Sequence, residues 1–243
     1  MGNAEPDYPL KEYYSNIYST YDKVNRIFTF GRDVHWRGRA AGECLLSEPE
    51  NVLDLCTGTG DFLFELASRA NYAVCLTGYD FSREMLDEAL RKEEALKDRV
   101  SIHDIKFLEG NVKDMPFEDQ SFDAVGITFG IRNLVYENSN AGIHLSEILR
   151  VLRPGGKLVI LESSRPDNAL WRIFNSIYLQ FILPYVGGLI SGNIRAYRYL
   201  AKSSKNYYSI KQMAGILENA GMSVVKGVPM FLGSVMLVVA AKK

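Results

Sequence analysis

A chain of 243 residues that is 47% hydrophobic can bury a substantial core, as one larger domain or as one domain carrying a small cap. With 28 basic against 29 acidic residues it has no global attraction to nucleic acid or to an anionic surface, which disfavours a polyanionic substrate. Cys44, Cys56 and Cys75 are an odd number without CxxC spacing and imply neither a disulfide framework nor a zinc site, so a reducing cytoplasm fits.

The N-terminal stretch has no basic segment followed by an apolar core and is not read as a signal peptide. Pro6 stands where a myristoylation signal wants Ser or Thr. From residue 8 to 28, Leu10, Tyr14, Ile17, Tyr18, Tyr21, Val24 and Phe28 recur at steps of three and four, which predicts a helix with an aromatic apolar face. "NVLDL" reads as a strand, with a helix from Asp61 onward. "AVCLTGYD" is a second strand, after which Ser82 caps a helix carrying Met85, Leu86, Ala89 and Leu90. "IKFLEGN" and "FDAVGITF" read as the third and fourth strands. A helix through Ile143, Ile148 and Leu149 then stops at Pro154-Gly155-Gly156, and "KLVILES" is the fifth strand.

Residues 169–190 are apolar enough to raise the question of a membrane span, but Arg172, Asn175, Gln180, Pro184 and Gly187-Gly188 interrupt them. A buried or interfacial helix is expected instead. Ser209 and Gln212 form a capping-box pattern on a helix that ends before Gly221. "MSVVKGV" and "GSVMLVVAA" close the chain, joined by too few residues for a parallel crossover, so the last strand is expected to pair antiparallel.

This alternation predicts an α/β fold: a mainly parallel sheet with helices on both faces and ligands beyond the carboxyl ends of its strands. The expected organisation is a single domain over residues 1–243, with an N-terminal helical segment at 8–40 and a helical cap at 167–206 on the substrate side.

In "NVLDLCTGTGDF", Gly58 and Gly60 between a buried strand and a helix allow a sharp turn and a close approach of ligand to backbone. A nucleotide-phosphate loop would carry Lys after its last glycine, and a dinucleotide loop a third glycine; Asp61 follows instead, where its charge would repel a pyrophosphate. Asp54 and Asp61 favour a cationic, unphosphorylated cofactor. Asp80, twenty residues after Gly60, stands where an acid accepts hydrogen bonds from both ribose hydroxyls. S-adenosylmethionine, with ammonium, sulfonium and ribose but no phosphate, meets these conditions. Taken singly, Asp61 also suits a helix N-terminus and Asp80 a helix cap.

"VLDLCTGTGD", "GYDFSREML", "GNVKDMPFEDQSFDAV", "TFGIRN" and "EILRVLRPGGKLVILESSRP" resemble successive motifs of class I methyltransferases, and specifically of the ubiquinone/menaquinone biosynthesis C-methyltransferase family. "YDKVNRIFTFGRDVHWR" and "YRYLAKSSKNYYSIKQMAGILENAGM" resemble that family's N- and C-terminal signatures, so the likeness covers about residues 10–243. It implies a Rossmann-like fold with a seven-stranded sheet and cofactor contacts by Thr59 and the loop glycines. It further implies Asp80 on the ribose, Asn111 and Val112 near the adenine, and Thr128 beside the methyl-donor cleft. The chain departs from the family in reading "CTGTGD" at the loop and Lys205-Asn206-Tyr207 in the C-terminal signature, where relatives commonly carry an aromatic residue or Met followed by Pro; the second departure touches substrate identity.

Methyl transfer from a sulfonium is an in-line displacement that needs positioning in a dry cleft and no metal. A hydroquinone that loses a phenolic proton becomes nucleophilic at the adjacent ring carbon, and stabilising that phenolate is the catalytic task. By resemblance, Arg132 and Asn133 after the fourth strand are the pair expected to carry it, with a salt-bridged loop arginine as the alternative. Tyr21 and His35 of the N-terminal signature are candidates to bond the other ring oxygen or relay a proton. The histidines at 35, 103 and 144 are scattered and form no metal cluster.

An isoprenoid tail needs an apolar trough, for which Trp171, Phe174, Ile177, Tyr178, Phe181 and Ile182 are candidate lining; the same surface could be a homodimer contact or a membrane-skimming face. The expected activity is C-methylation of a demethylated quinol, demethylmenaquinol or a related benzoquinol, in the cytoplasm or peripheral to the membrane. Methylation of another small apolar acceptor and a non-enzymatic S-adenosyl-ligand subunit are the alternatives.

Overall fold

The computed structural model describes residue 18 and residues 20–243. Of the helix expected over 8–28, residues 20–28 are helical (α1) and residues 8–17 and 19 lie outside the described residues. Gly31, at φ 71°, turns the chain into α2 (Arg32–Leu45). Then follow β1 (Asn51–Leu55), α3 (Asp61–Arg69), β2 (Cys75–Asp80), α4 (Arg83–Val100), β3 (Asp104–Glu109) and β4 (Phe122–Thr128). The short α5 (Ile131–Val135) and α6 (Ala141–Val151) lead to β5 (Leu152–Ser163). Both sequence-assigned caps form: Ser82 Oγ accepts from the Met85 amide, and Ser209 and Gln212 complete the capping box of α10 (Ile210–Asn219).

The seven-stranded sheet has the order β3-β2-β1-β4-β5-β7-β6, with β6 (Met222–Met230) and β7 (Val235–Lys242) closing the chain. Strands β1 to β5 run parallel, and β7 pairs antiparallel with both β5 and β6, as the short connection requires. Successive residues of the central strands feed opposite cores. Leu53, Val125, Leu158 and Ile160 face one, and Val52, Ala124, Val159 and Leu161 the other. Burial on both faces is why these strands are continuous apolar runs rather than alternating ones. The chain order reverses between β1 and β4, so the connections leaving their carboxyl ends diverge and open a crevice there.

One boundary differs from expectation. Strand β5 starts at Leu152, because Pro154-Gly155-Gly156 forms an irregularity within it: Phe122 pairs with Leu152 but Ala124 with Lys157. Gly155 takes φ 76°, and a Cβ on Gly156 would lie 2.8 Å from the Arg153 carbonyl oxygen, so the turn closes inside the ladder instead of outside it.

The segment expected as a buried or interfacial helix is α7 (Ala169–Ile177), a π-helical turn (Tyr178–Ile182) and α8 (Leu183–Ser191), followed by α9 (Ile194–Lys205). The buried alternative does not hold: no residue of α7 or the π turn is buried. Only Leu183, Pro184 and Gly187 are buried in α8, and Leu183 shares a small core with Val24 of α1 and Ala196, Tyr197 and Ala201 of α9. None of the six candidate trough residues lines the main cavity. Phe174, Ile177, Phe181 and Ile182 face solvent, while Trp171 Nε1 donates to Ser234 Oγ (2.8 Å) and the Tyr178 hydroxyl donates to the Phe28 carbonyl (2.8 Å).

The tips of β1 and β4 meet where Gly130 abuts Cys56; a Cβ there would lie 2.5 Å from Cys56 Cβ. Gly130→Ala is expected to cost about 1–3 kcal/mol by overpacking and to lower the melting temperature by about 2–10 °C. Unchanged thermal unfolding would refute the close approach.

Candidate active site

The crevice is built on the loop after β1. Cys56, Gly58 and Gly60 all take positive φ, at 60°, 55° and 80°. A Cβ on Gly58 would meet nothing within 4 Å, so this glycine keeps backbone exposed to the cavity, whereas one on Gly60 would strike the Phe64 ring at 2.8 Å. Gly60 is therefore the packing glycine at the start of α3, and it does not line the cavity. The Thr57 amide donates to the Tyr79 carbonyl (3.2 Å) and its hydroxyl to Asp54 Oδ2 (2.6 Å).

Asp80, at the tip of β2, ties the crevice together: Oδ2 accepts from the Gly58 amide (2.9 Å) and Oδ1 from the Ser82 amide (3.0 Å). Burial pushes its carboxyl up to about 6, against the opposing pull of those amides. Asp54 lies beneath the loop rather than in the cavity wall. It is buried, its Oδ1 has no hydrogen-bond partner, and burial pushes it up to about 7 despite the Thr57 hydroxyl.

The cavity holds about 900 Å³, and its wall brings together Gly58, Thr59, Asp61, Asp80, Asn111, Val112, Thr128, Asn133 and Tyr21 of the residues singled out in the sequence. Asn111 also serves its own turn, its Oδ1 accepting from the Lys113 amide (3.0 Å). Asp22, Arg37, Phe81, Met85, Glu109, Phe129 and His144 complete much of the wall and were not singled out from the sequence. Met85 was legible only as an apolar helix position. His144 Nδ1 lies 2.8 Å from the Leu134 carbonyl, the arrangement in which Nδ1 carries the proton.

Helix α1 closes one side. Thr59 Oγ1 donates to Asp22 Oδ1 (2.8 Å), while Lys92 of α4 donates to Asp22 Oδ2 (2.6 Å), Asp61 Oδ1 (2.6 Å) and Thr59 Oγ1 (3.0 Å). Burial works against the Lys92 charge, but Asp61 and Asp22 outweigh it and raise its pKa. Asp61 is thus one carboxylate of a cross-linked cluster, not an isolated charge at a helix start.

Arg37 reaches the cavity from α2 while only 7% exposed. Its Nη1 donates to Asp33 Oδ2 (2.8 Å), its guanidinium stacks over Phe129 at 5.5 Å, and its Nε has no hydrogen-bond partner. Asp33 is itself held by Thr29 (2.7 Å) and Arg26 (3.1 Å); burial opposes ionisation, but the Thr29 hydrogen bond and the Arg37 charge keep its carboxyl below the ordinary value. His35, on the same helix, points to solvent and is outside the cavity. The helical period explains the difference: residues 33 and 37 share a buried face that 35 cannot.

Arg132 and Asn133 part company. Asn133 lines the cavity, whereas Arg132, 2% exposed, sits behind the wall. Its Nη1 donates to Glu162 Oε1 (2.9 Å) and Ser204 Oγ (3.0 Å), and its amide to Glu162 Oε2 (3.3 Å). Glu162 is fully buried, so the pair ties the β4 connection to β5 and α9.

Comparison with known proteins places these features. The model of the ubiE/COQ5 methyltransferase family matches residues 3–242. A demethylmenaquinone methyltransferase of Thermus thermophilus is 42% identical over 212 residues, 87% of this chain and 91% of that one. One from Deinococcus radiodurans is 40% identical over 212 residues, with 87% and 84% covered. Among solved structures, a SAM-dependent methyltransferase from Aquifex aeolicus superposes with a TM-score of 0.54 at 21% identity, over 79% of this chain and 81% of that one. An O-methyltransferase family protein from Burkholderia thailandensis superposes with a TM-score of 0.61 at 17% identity, over 90% and 58%. These structural likenesses show the fold: a class I methyltransferase sheet with an antiparallel last strand.

Removing one partner of the buried pair leaves a charge without compensation. Arg132→Ala is expected to lose about 3–5 kcal/mol in denaturant unfolding. Arg132→Ala combined with Glu162→Ala should lose less than the sum of the single changes, and strict additivity in that cycle would show the pair to be uncoupled.

Proposed function

Because the chain belongs to the ubiE/COQ5 methyltransferase family, we propose that it is an S-adenosylmethionine-dependent C-methyltransferase acting on the ring carbon of a demethylated quinol, demethylmenaquinol or a related benzoquinol, in quinone biosynthesis. The observation that carries this reading is the 42% identity over 212 residues to a demethylmenaquinone methyltransferase. The chain's own cavity supports it. Lys92 and Arg37 offset Asp22 and Asp61, and Asp80 and Glu109 leave the wall acidic on balance, which suits a cationic nucleoside over a pyrophosphate.

When bound, the cofactor supplies an electrophilic methyl group. Asp80 would accept hydrogen bonds from the ribose hydroxyls with the lone pairs left by Gly58 and Ser82, and Asn111 and Val112 would flank the adenine. Asp54, beneath the loop with its carboxyl raised by burial, would ionise more readily once the cofactor's cationic end lies nearby. Thr128 borders the reacting end of the cleft.

On the acceptor side, Arg37 would hold the charge of the quinol phenolate: it is a cavity-lining cation kept in place by Asp33 and 3.9 Å from Asp61. Asn133 would orient a ring oxygen. Burial pushes the Tyr21 phenol up to about 12, so it stays protonated at neutral pH and can donate to the second oxygen. Arg132 acts from behind as a positioning residue, holding the turn that presents Asn133.

Three measurements test this. The purified protein should transfer labelled methyl to demethylmenaquinol, and cofactor binding with no transfer to any quinol would overturn the substrate assignment. Arg37→Ala should lower kcat about 10²–10³-fold with cofactor affinity within a few-fold of the parent, and equal loss of both would deny Arg37 its proposed role.

The third is pH dependence. The Asp80 carboxyl is higher in the folded protein than its ordinary 3.8, so the neutral form's contribution to stability is present below about 3.8 and is lost as pH rises through about 6. A ligand that needs the carboxylate should therefore bind more weakly as pH falls through 6. The thermal shift given by S-adenosylhomocysteine should be larger at pH 8 than at pH 5.5, and the reverse order would exclude Asp80 as the ribose acceptor.

A further inference from the structure

The helical segment Ala169–Ser191 is long and apolar enough to cross a membrane, yet only 17% of its apolar window is buried. Leu170, Ile173, Phe174, Ile177, Phe181 and Leu189 are 48–86% exposed and follow one another at steps of one, three, four and eight, forming a single stripe. The π-helical turn Tyr178–Ile182 turns the chain less per residue than an α-helix does, which keeps the later members in line with the first. The stripe runs for roughly 30 Å. Its opposite side packs against the domain through Leu183 and Gly187, so the segment lies along the surface and is not a spanning helix.

Charge is graded in the same place. Residues 165–205 carry six Lys and Arg against one Asp, while the rest of the chain carries 22 against 28. Arg165, Arg172 and Lys205 line a groove of about 450 Å³ with Ile173 and Ile177, two members of the stripe. Among the described residues none of these three cations pairs with a carboxylate; Lys205 Nζ donates to Gln180 Oε1 (2.9 Å). By contrast Arg69 of α3, Arg83 and Arg91 of α4 and Arg150 of α6 pair with an acid.

We propose that this face docks the protein on an anionic phospholipid bilayer. The stripe would enter the boundary between headgroups and acyl chains, and the groove would receive lipid phosphates. A second copy of the chain is the poorer occupant, because a two-fold interface would set one set of three uncompensated cations against another. The inference stands on the surface itself and goes beyond the assignment of substrate.

The test is flotation of the full-length protein with phosphatidylcholine vesicles, with and without 30% phosphatidylglycerol, at low and high salt. Binding is expected only to the anionic vesicles and to weaken with salt. The variant carrying Arg165→Glu, Arg172→Glu and Lys205→Glu, and separately the variant carrying Phe174→Ser, Phe181→Ser and Leu189→Ser, should each weaken it at least tenfold. All six side chains lie outside the main cavity, so S-adenosylhomocysteine affinity serves as the check on folding. Absence of vesicle binding by the parent protein would overturn the proposal, as would binding that both variants retain. A dimer in sedimentation equilibrium that the serine variant abolishes would overturn it in favour of a self-interface. No outcome depends on turnover, so failure here leaves the methyltransferase assignment standing.

Discussion

The Asp80 carboxylate is the constraint on which the crevice depends. One oxygen fixes the Gly58 amide and the other the Ser82 amide, so the loop after β1 and the start of the helix after β2 are held by a single side chain. Because the sheet order reverses at β1, that side chain stands at the mouth of the crevice that opens there. Its burial makes the carboxylate costly to ionise in the absence of a partner. A site that pays such a cost in the free protein recovers it when a ligand's donors and positive charge arrive.

Around that anchor the charges are layered. Asp22, Lys92 and Asp61 form a closed cluster that fastens α1 to α3 and α4 and leaves Thr59 hydrogen-bonded on both sides. The N-terminal helix is therefore a wall of the cavity, not an appendage to it. Arg37 adjoins that cluster, 3.9 Å from Asp61, and is steadied by Asp33, whose own carboxylate is held by Thr29 and Arg26. Acids and cations therefore alternate along this wall and hold one another in place.

Two arginines illustrate how position overrides residue type. Arg132 stands in the selective "FGIRN" motif, yet its guanidinium is neutralised by a fully buried Glu162 and serves the architecture. Arg37, which closes the N-terminal signature stretch and was given no role from the sequence, carries its charge to the cavity wall. The helical segment after β5 shows the same thing on a larger scale: its apolar composition suggests a core, while its packing leaves that composition on the outside.

The strands, their order of appearance, the antiparallel close, the helix caps and the glycine loop with its following acids were all readable from periodicity and spacing, because local sequence dictates local hydrogen bonding and burial period. Gly58, Thr59, Asp80 and Asn111 could be placed together because each lies at or just past the carboxyl end of a strand, and parallel strands share that edge; Thr128 was implied by the family resemblance alone. The helical period separates His35 from Asp33 and Arg37, but only the packing of α2 makes the face of Asp33 and Arg37 the buried one. Two pairings were likewise decided only by the folded chain: that Lys92 reaches Asp61 and Asp22, and that Glu162 claims Arg132. Each joins side chains of elements far apart in sequence, and no periodicity within one element encodes such a distance.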